Sequence, residues 1–124
     1  MSTVLIVEDN EKNMKLARDV LQSRGYATLE AVTGEDGVRL ARERKPDLVL
    51  MDIQLPGISG IDALAQLRAD PATARIPVIA FTASVTPTDR TQISEAGFDA
   101  FLSKPIHLKE FVETVKRVIE AGRA

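Results

Sequence analysis

Short apolar runs alternate with amphipathic segments along the whole chain. The runs at residues 4–7, 48–51 and 77–81 are apolar throughout, which is typical of parallel strands buried on both faces of a sheet. Residues 26–32 and 100–103 form two further predicted strands, and the first of these is mixed in polarity, as an edge strand would be. The pattern therefore predicts five strands separated by helices.

Residues that commonly cap helices mark the starts of several intervening segments. Asn10, Thr33 and Ser59 each precede a segment in which apolar residues recur at helical spacing. A weaker, polar helix is predicted at residues 88–96, and an amphipathic one at residues 108–121. Five alternating strands and helices predict an α/β fold with a parallel, doubly wound sheet. By analogy with known sheets of this flavodoxin-like (βα)5 type, the expected strand order is 2-1-3-4-5.

The composition limits the class of protein. The 124 residues, 44% of them hydrophobic, suffice for one domain with its own core, which we expect to span residues 1–124. A net charge of −2 leaves no basic surplus for a nucleic-acid backbone. There is no cysteine, no leader-like segment and no apolar run near the roughly 18 residues of a membrane helix. We therefore expect a cytoplasmic domain that binds neither nucleic acid nor membrane.

Chemically active side chains follow the predicted strands at their carboxyl ends. Glu8 and Asp9 follow the first strand, and Asp52 ends the third, just before a Pro-Gly loop. Thr82 follows the fourth strand and Lys104 the fifth. Because the carboxyl ends of parallel strands meet at one edge of a sheet, we expect these five side chains to lie together.

Three carboxylates at one edge repel one another unless a proton or a cation lies among them. An all-oxygen site without His or Cys favours a hard divalent ion, here Mg²⁺, with Mn²⁺ as the alternative. We assign Asp9 and Asp52 as direct ligands, together with the backbone carbonyl of Gln54. Glu8 would act through a water molecule.

The same residues suggest a reaction. A free oxygen of Asp52 could attack phosphorus and form an aspartyl phosphate, as carboxylate nucleophiles do. The Lys104 ammonium and the metal would stabilise charge on the oxygens of the transferring group. The Thr82 hydroxyl is placed to donate a hydrogen bond to the phosphoryl group once it has arrived.

Four separated motifs stand in order along the chain. They are residues 7–10 (VEDN), residues 51–57 (MDIQLPG), the pair Thr82-Ala83 and the pair Lys104-Pro105. In these motifs, and from end to end, the chain resembles the response-regulator receiver domain of bacterial two-component systems. The resemblance implies a signalling domain without an output domain, which assists only its own phosphorylation and dephosphorylation and is otherwise not an enzyme.

The resemblance also implies partners and moving parts. A sensor histidine kinase or a histidine phosphotransfer protein would pass a phosphoryl group from a phosphohistidine to Asp52. Thr82 would then move inward, and Phe101 would turn inward behind it, while the small Ala83 leaves room for the movement. The surface formed by the fourth helix, the fifth strand and the fifth helix would change shape and recruit a downstream protein.

Two further details follow from the resemblance alone. Gln54 and Ser84, two residues beyond Asp52 and Thr82, would tune how long the aspartyl phosphate lasts. The peptide bond between Lys104 and Pro105 would be cis.

Three other functions compete with phosphorylation signalling. A scaffold that uses this fold without phosphorylation is disfavoured by the intact acidic trio and Lys104. A Mg²⁺-dependent aspartyl phosphohydrolase of the haloacid dehalogenase type needs an acidic residue two positions after the nucleophile, where this chain has Gln54. A nucleotide- or flavin-binding module would carry a glycine-rich loop after the first strand, where this chain has Glu8-Asp9-Asn10.

Overall fold

Five strands and five helices alternate through residues 2–83 and 87–122, which the computed structural model describes, with the backbone alone at residues 87–90. The strands are β1 (Thr3–Val7), β2 (Ala27–Ala31), β3 (Leu48–Asp52), β4 (Val78–Thr82) and β5 (Ala100–Ser103). The helices are α1 (Glu11–Ser23), α2 (Gly34–Arg44), α3 (Gly60–Ala69), α4 (Pro87–Ala96) and α5 (Leu108–Ala121). No helix in the described ranges is long and apolar enough to cross a membrane.

All neighbouring strands run parallel, in the order β2-β1-β3-β4-β5. This confirms the predicted fold class and strand order. β3 lies at the centre, and its register places Asp52 beside Phe81 of β4. Thr82, the last residue of β4, lies beside Ser103 of β5. The carboxyl ends of β3, β4 and β5 are therefore adjacent, which brings Asp52 and Thr82 near Lys104, the residue after β5.

The sheet separates two hydrophobic cores, because successive side chains of a strand point to opposite faces. In β1, Ile6 contributes to one core, while Leu5 and Val7 contribute to the other. The first core is completed by α1 and α5, and the second by α2 and α3. Every residue of β3 and of β4 is buried. This double burial explains why both central strands read as continuous apolar runs.

The predicted helix caps are confirmed. The Asn10 side chain accepts a hydrogen bond from the backbone N–H of Asn13 at 3.0 Å. Thr33 and Ser59 accept the equivalent bonds at the starts of α2 and α3, each at 3.1 Å. These bonds satisfy donors that the first turn of a helix cannot satisfy internally.

Several strand boundaries differ from the prediction by one residue. Strand β2 begins at Ala27 rather than at residue 26, because the Tyr26 N–H donates to the Leu21 carbonyl at the end of α1. It ends one residue early, since Val32, 55% exposed, leads directly into the Thr33 cap. Strand β4 starts one residue later than predicted, at Val78, and includes Thr82.

Gly60, the first residue of α3, brings that helix against the end of β3. A Cβ atom at this position would lie 2.2 Å from the Asp52 carbonyl oxygen and 2.9 Å from the Ile53 Cα. The Gly60 N–H donates to the Ile53 carbonyl at 2.9 Å. Only glycine permits this close approach, which fixes the path of the chain immediately after Asp52.

Candidate functional site

Three carboxylates meet at the carboxyl edge of the sheet, as the sequence predicted. Glu8 and Asp9 follow β1 and Asp52 ends β3, and one carboxylate oxygen from each lies within 4.8 Å of the others. Glu8 and Asp52 are 1% and 4% exposed, whereas Asp9 is open to solvent. The cluster therefore has two buried members and one that a ligand can reach from outside.

Lys104 brings a positive charge into this cluster. Its Nζ atom forms an ion pair with Glu8 Oε1 and lies 3.0 Å from Asp52 Oδ2, and its side chain is only 10% exposed. The Lys104 backbone N–H donates to the Thr82 carbonyl at 2.8 Å, which joins the loop after β5 to the end of β4. The Lys104–Pro105 peptide bond is cis, as expected.

The backbone also orients the two buried carboxylates. Asp52 Oδ1 accepts a hydrogen bond from the Gln54 N–H at 3.0 Å, while Oδ2 faces the Lys104 ammonium. Glu8 Oε2 accepts from the Asn10 N–H at 3.3 Å. Both oxygens of Asp52 are thus held in fixed directions by neighbours on different elements.

Burial and hydrogen bonding shift the proton affinities of Glu8 and Lys104. Burial raises the pKa of Glu8 to about 7, and the hydrogen bond with Asp52 adds to the increase, while Lys104 acts in the opposite direction. For Lys104, burial alone would lower the pKa. Its hydrogen bonds to Glu8 and Asp52 outweigh that effect, so the pKa of Lys104 lies above its usual value. The ammonium therefore stays charged near neutral pH.

The donor set suits a hard divalent cation. Every side chain in the acidic trio offers oxygen, and this kind of site favours Mg²⁺ over metals that prefer nitrogen or sulfur. Next to the trio lies a groove of about 390 Å³, bordered by α1 and the end of β2. Gln54 stands in the loop directly after β3, where its carbonyl was expected to contribute.

The remaining predicted residues differ in how close they lie to this cluster. Thr82 is buried at the same edge of the sheet, and Ala83 follows it at the surface. Phe101 is half-buried in β5, beside Ala80 rather than beside the carboxylates. Ser84 lies outside the described residues.

Phe81 is a member of the site that the sequence reasoning did not identify. The Lys104 Nζ atom lies over the Phe81 ring, 5.1 Å from its centroid. The sequence suggested only a strand role for this residue. The available signal was the position of an aromatic residue directly before Thr82, in a strand whose neighbour ends in Asp52.

Comparison with known proteins places this arrangement in a family. The sequence model of the response regulator receiver domain family matches residues 4–116 of this chain. Among curated relatives, the polar-differentiation response regulator DivK of Brucella anthropi is 47% identical over 114 residues, which cover 92% of this chain and 93% of that protein. DivK of Brucella ovis is similar to the same extent.

Solved structures show the same similarity. The receiver domain of the sensor histidine kinase PA1611 from Pseudomonas aeruginosa superposes with a TM-score of 0.89 at 34% identity, covering 96% of this chain and 98% of that one. That structure holds a magnesium ion coordinated in its active site cleft. A response regulator from Chloroflexus aurantiacus gives a TM-score of 0.91 at 30% identity, with the same coverage. This chain therefore belongs to the response regulator receiver domain family of two-component signalling.

Proposed function

We propose that this chain accepts a phosphoryl group on Asp52 from a phosphohistidine of a sensor histidine kinase or a histidine phosphotransfer protein. The observation that carries the proposal is the contact of the buried Asp52 carboxylate with the Lys104 ammonium, beside two further carboxylates. A nucleophile, a fixed cation and an acidic metal site are the components that phosphoryl transfer to a carboxylate needs.

Asp52 acts as the nucleophile in this proposal. One of its carboxylate oxygens forms a bond to phosphorus while the phosphorus–nitrogen bond of the donor histidine breaks. The electron pair of that bond stays on the nitrogen, and the ring takes up a proton from water and leaves as neutral imidazole. The hydrogen bond from the Gln54 N–H to Oδ1 fixes the orientation of the carboxylate. Such positioning lowers the barrier because less orientational freedom is lost at the transition state.

Asp9 and Asp52 would hold Mg²⁺, with the Gln54 carbonyl as a further ligand and Glu8 acting through water; Mn²⁺ is the alternative ion. When bound, the ion neutralises charge on the phosphoryl oxygens. The all-oxygen trio and the magnesium ion in the PA1611 receiver domain support this choice. Lys104 stabilises the same oxygens from the side of β5, and Thr82 donates a hydrogen bond to the phosphoryl group.

The output of the domain is a changed surface. Phosphorylation draws Thr82 toward the acyl phosphate, Ala83 leaves room for this movement, and Phe101 turns inward, which alters the face made by α4, β5 and α5. A downstream protein binds that face. Gln54 and Ser84 tune the lifetime of the phosphate. The position of Thr82 at the same edge as Asp52, one strand away, supports a direct link between the two.

Intact-mass measurement after incubation with a small-molecule phosphodonor tests the proposal. The wild-type protein should gain one phosphoryl group with Mg²⁺ and none in EDTA, and Asp52→Asn should gain none in either buffer. Asp62→Asn, which changes an exposed carboxylate of α3, is the matched control and should behave as wild type.

Two results would contradict the proposal. An adduct that persists in Asp52→Asn would place the acceptor elsewhere. No adduct in wild type, under conditions that label a control receiver domain, would favour a scaffold that works without phosphorylation.

A further inference from the structure

The Lys104 ammonium has neighbours of two different kinds. Its oxygen partners are Glu8 and Asp52, and it also lies over the ring of Phe81, 5.1 Å from the centroid. A separation below about 6 Å is the range in which an ammonium is attracted to the negative face of an aromatic ring. Because the Lys104 side chain is 10% exposed, little water competes for this contact.

The Phe81 ring is held rigidly. It is 1% exposed, and its centroid lies 6.3 Å from that of Phe111 of α5, with the two ring planes inclined by 40°. The backbone of Phe81 is paired with Asp52 on one side and with Leu102 on the other. The ring is therefore fixed relative to the acceptor carboxylate by the sheet itself.

We propose that Phe81 is a positioning residue for phosphoryl transfer, whose ring keeps the Lys104 ammonium beside Asp52 throughout the reaction; this rests on the proposed function of the site. The ring touches neither the donor nor the phosphoryl group. It acts through Lys104 only.

The need for such a residue follows from the change in charge during the reaction. Before transfer, the ammonium is paired with Asp52 Oδ2 and with Glu8 Oε1. Once Asp52 carries a phosphoryl group, its carboxyl charge is lost and the negative charge lies on the phosphoryl oxygens instead. An aromatic face attracts a cation without requiring one N–H direction, so the ammonium can turn toward the new oxygens while the Phe81 contact persists.

A packing role and an electrostatic role for Phe81 make different predictions. An aliphatic side chain would fill much of the same core volume, but it has no negative face. Fluorine atoms withdraw electron density from the ring face and change the size of the ring little. A series of mono-, di- and trifluorophenylalanine at position 81 therefore separates the two roles.

The rate of phosphorylation by a small-molecule phosphodonor with Mg²⁺ is the first measurement. We expect the rate to fall stepwise with fluorine number, to about three- to tenfold below the unmodified protein, with the thermal midpoint little changed. The same series at Phe111 is the matched control, since that ring lies in the same core. It should leave the rate unchanged. Equal rates across the Phe81 series would overturn the proposal.

Nuclear magnetic resonance of the Lys104 side chain provides a measurement that does not depend on phosphorylation. In the unmodified protein the ring current of Phe81 should shift the Lys104 ε-methylene protons upfield, and Phe81→Leu should remove the shift. Fluorination at position 81 should increase the mobility of the side chain. If the unmodified protein is not phosphorylated, the proposed function fails. The positioning role fails separately if Lys104 mobility is the same throughout the series.

Discussion

At the scale of single residues, the proton on Glu8 connects the site to the stability of the domain. Burial raises the pKa of Glu8 from 4.5 to about 7, so the folded protein binds this proton more tightly than the unfolded chain does. The resulting stabilisation is fully present below about pH 4.5. It is lost as the pH rises through about 7. Above that pH, Glu8 in the folded state must either stay protonated, which is unfavourable, or carry a buried negative charge.

The variant Glu8→Gln isolates the effect of the Glu8 proton, since glutamine is similar in size to glutamate and its side chain does not titrate. In metal-free buffer, the free energy of unfolding of wild type should fall relative to that of Glu8→Gln by about 2–3 kcal/mol between about pH 5 and pH 8. Urea denaturation at a series of pH values measures both curves. Glu11→Gln, at an exposed position of α1, is the control and should follow wild type. Parallel curves for wild type and Glu8→Gln would show that the Glu8 proton has no such effect.

Residue identity was enough to predict the juxtaposition of the acidic trio with Lys104, because parallel strands bring their carboxyl ends together. It was not enough to predict the proton affinity of Glu8, which depends on burial between neighbouring strands. The contact of Lys104 with Phe81 was missed for a similar reason. This contact joins a side chain of β4 to one in the loop after β5. No short-range sequence pattern predicts that these two side chains approach each other.

At the scale of elements, the junction of β3 and α3 ties Asp52, the proposed acceptor, to the fold. Gly60→Ala would place a methyl group 2.2 Å from the Asp52 carbonyl oxygen, so the loop or the helix must shift. We expect destabilisation of about 1–3 kcal/mol, as for other overpacked sites, despite the better helix propensity of alanine. We also expect slower phosphorylation of Asp52, because the displaced backbone carries the proposed nucleophile.

Gly25→Ala provides the comparison for this variant. Gly25 has a φ of +89°, and a methyl group added there would meet no atom within 4 Å, so alanine is strained at this position without touching the site. It should lower the urea midpoint and leave the phosphorylation rate unchanged. If both variants were phosphorylated at the wild-type rate, the junction would have no part in positioning Asp52.

The elements themselves were predictable to differing degrees. Helix starts at Asn10, Thr33 and Ser59 were predicted correctly because a cap is a bond between residues three apart. The start of β2 was not predicted correctly, since it depends on whether the Tyr26 N–H donates to a neighbouring strand or to the end of α1. Local chemistry therefore specifies the helix starts, and pairing between distant segments specifies the strand ends.

At the scale of the whole molecule, the proposed metal site would link ion binding to folding, because the unfolded chain does not hold the three carboxylates together. At about one hundred times the dissociation constant, Mg²⁺ should add roughly 3 kcal/mol to the free energy of unfolding. Thermal or urea denaturation with and without Mg²⁺, at matched ionic strength, measures the increase. It should be much smaller in Asp9→Asn. An increase of equal size in Asp9→Asn would show that the ion binds elsewhere.

The division of the interior by the sheet bears on how this chain can diverge in sequence. Residues of the α1–α5 core and of the α2–α3 core lie on opposite faces and share few side-chain neighbours, so substitutions in the two should combine almost independently. The α1–α5 core includes Phe81, which contacts the lysine of the site, and Phe111, which packs near that ring. Away from the Gly60 junction, the α2–α3 side could therefore be repacked with little effect on the Phe81–Lys104 contact, while substitutions around Phe81 and Phe111 would have to occur in coordinated pairs.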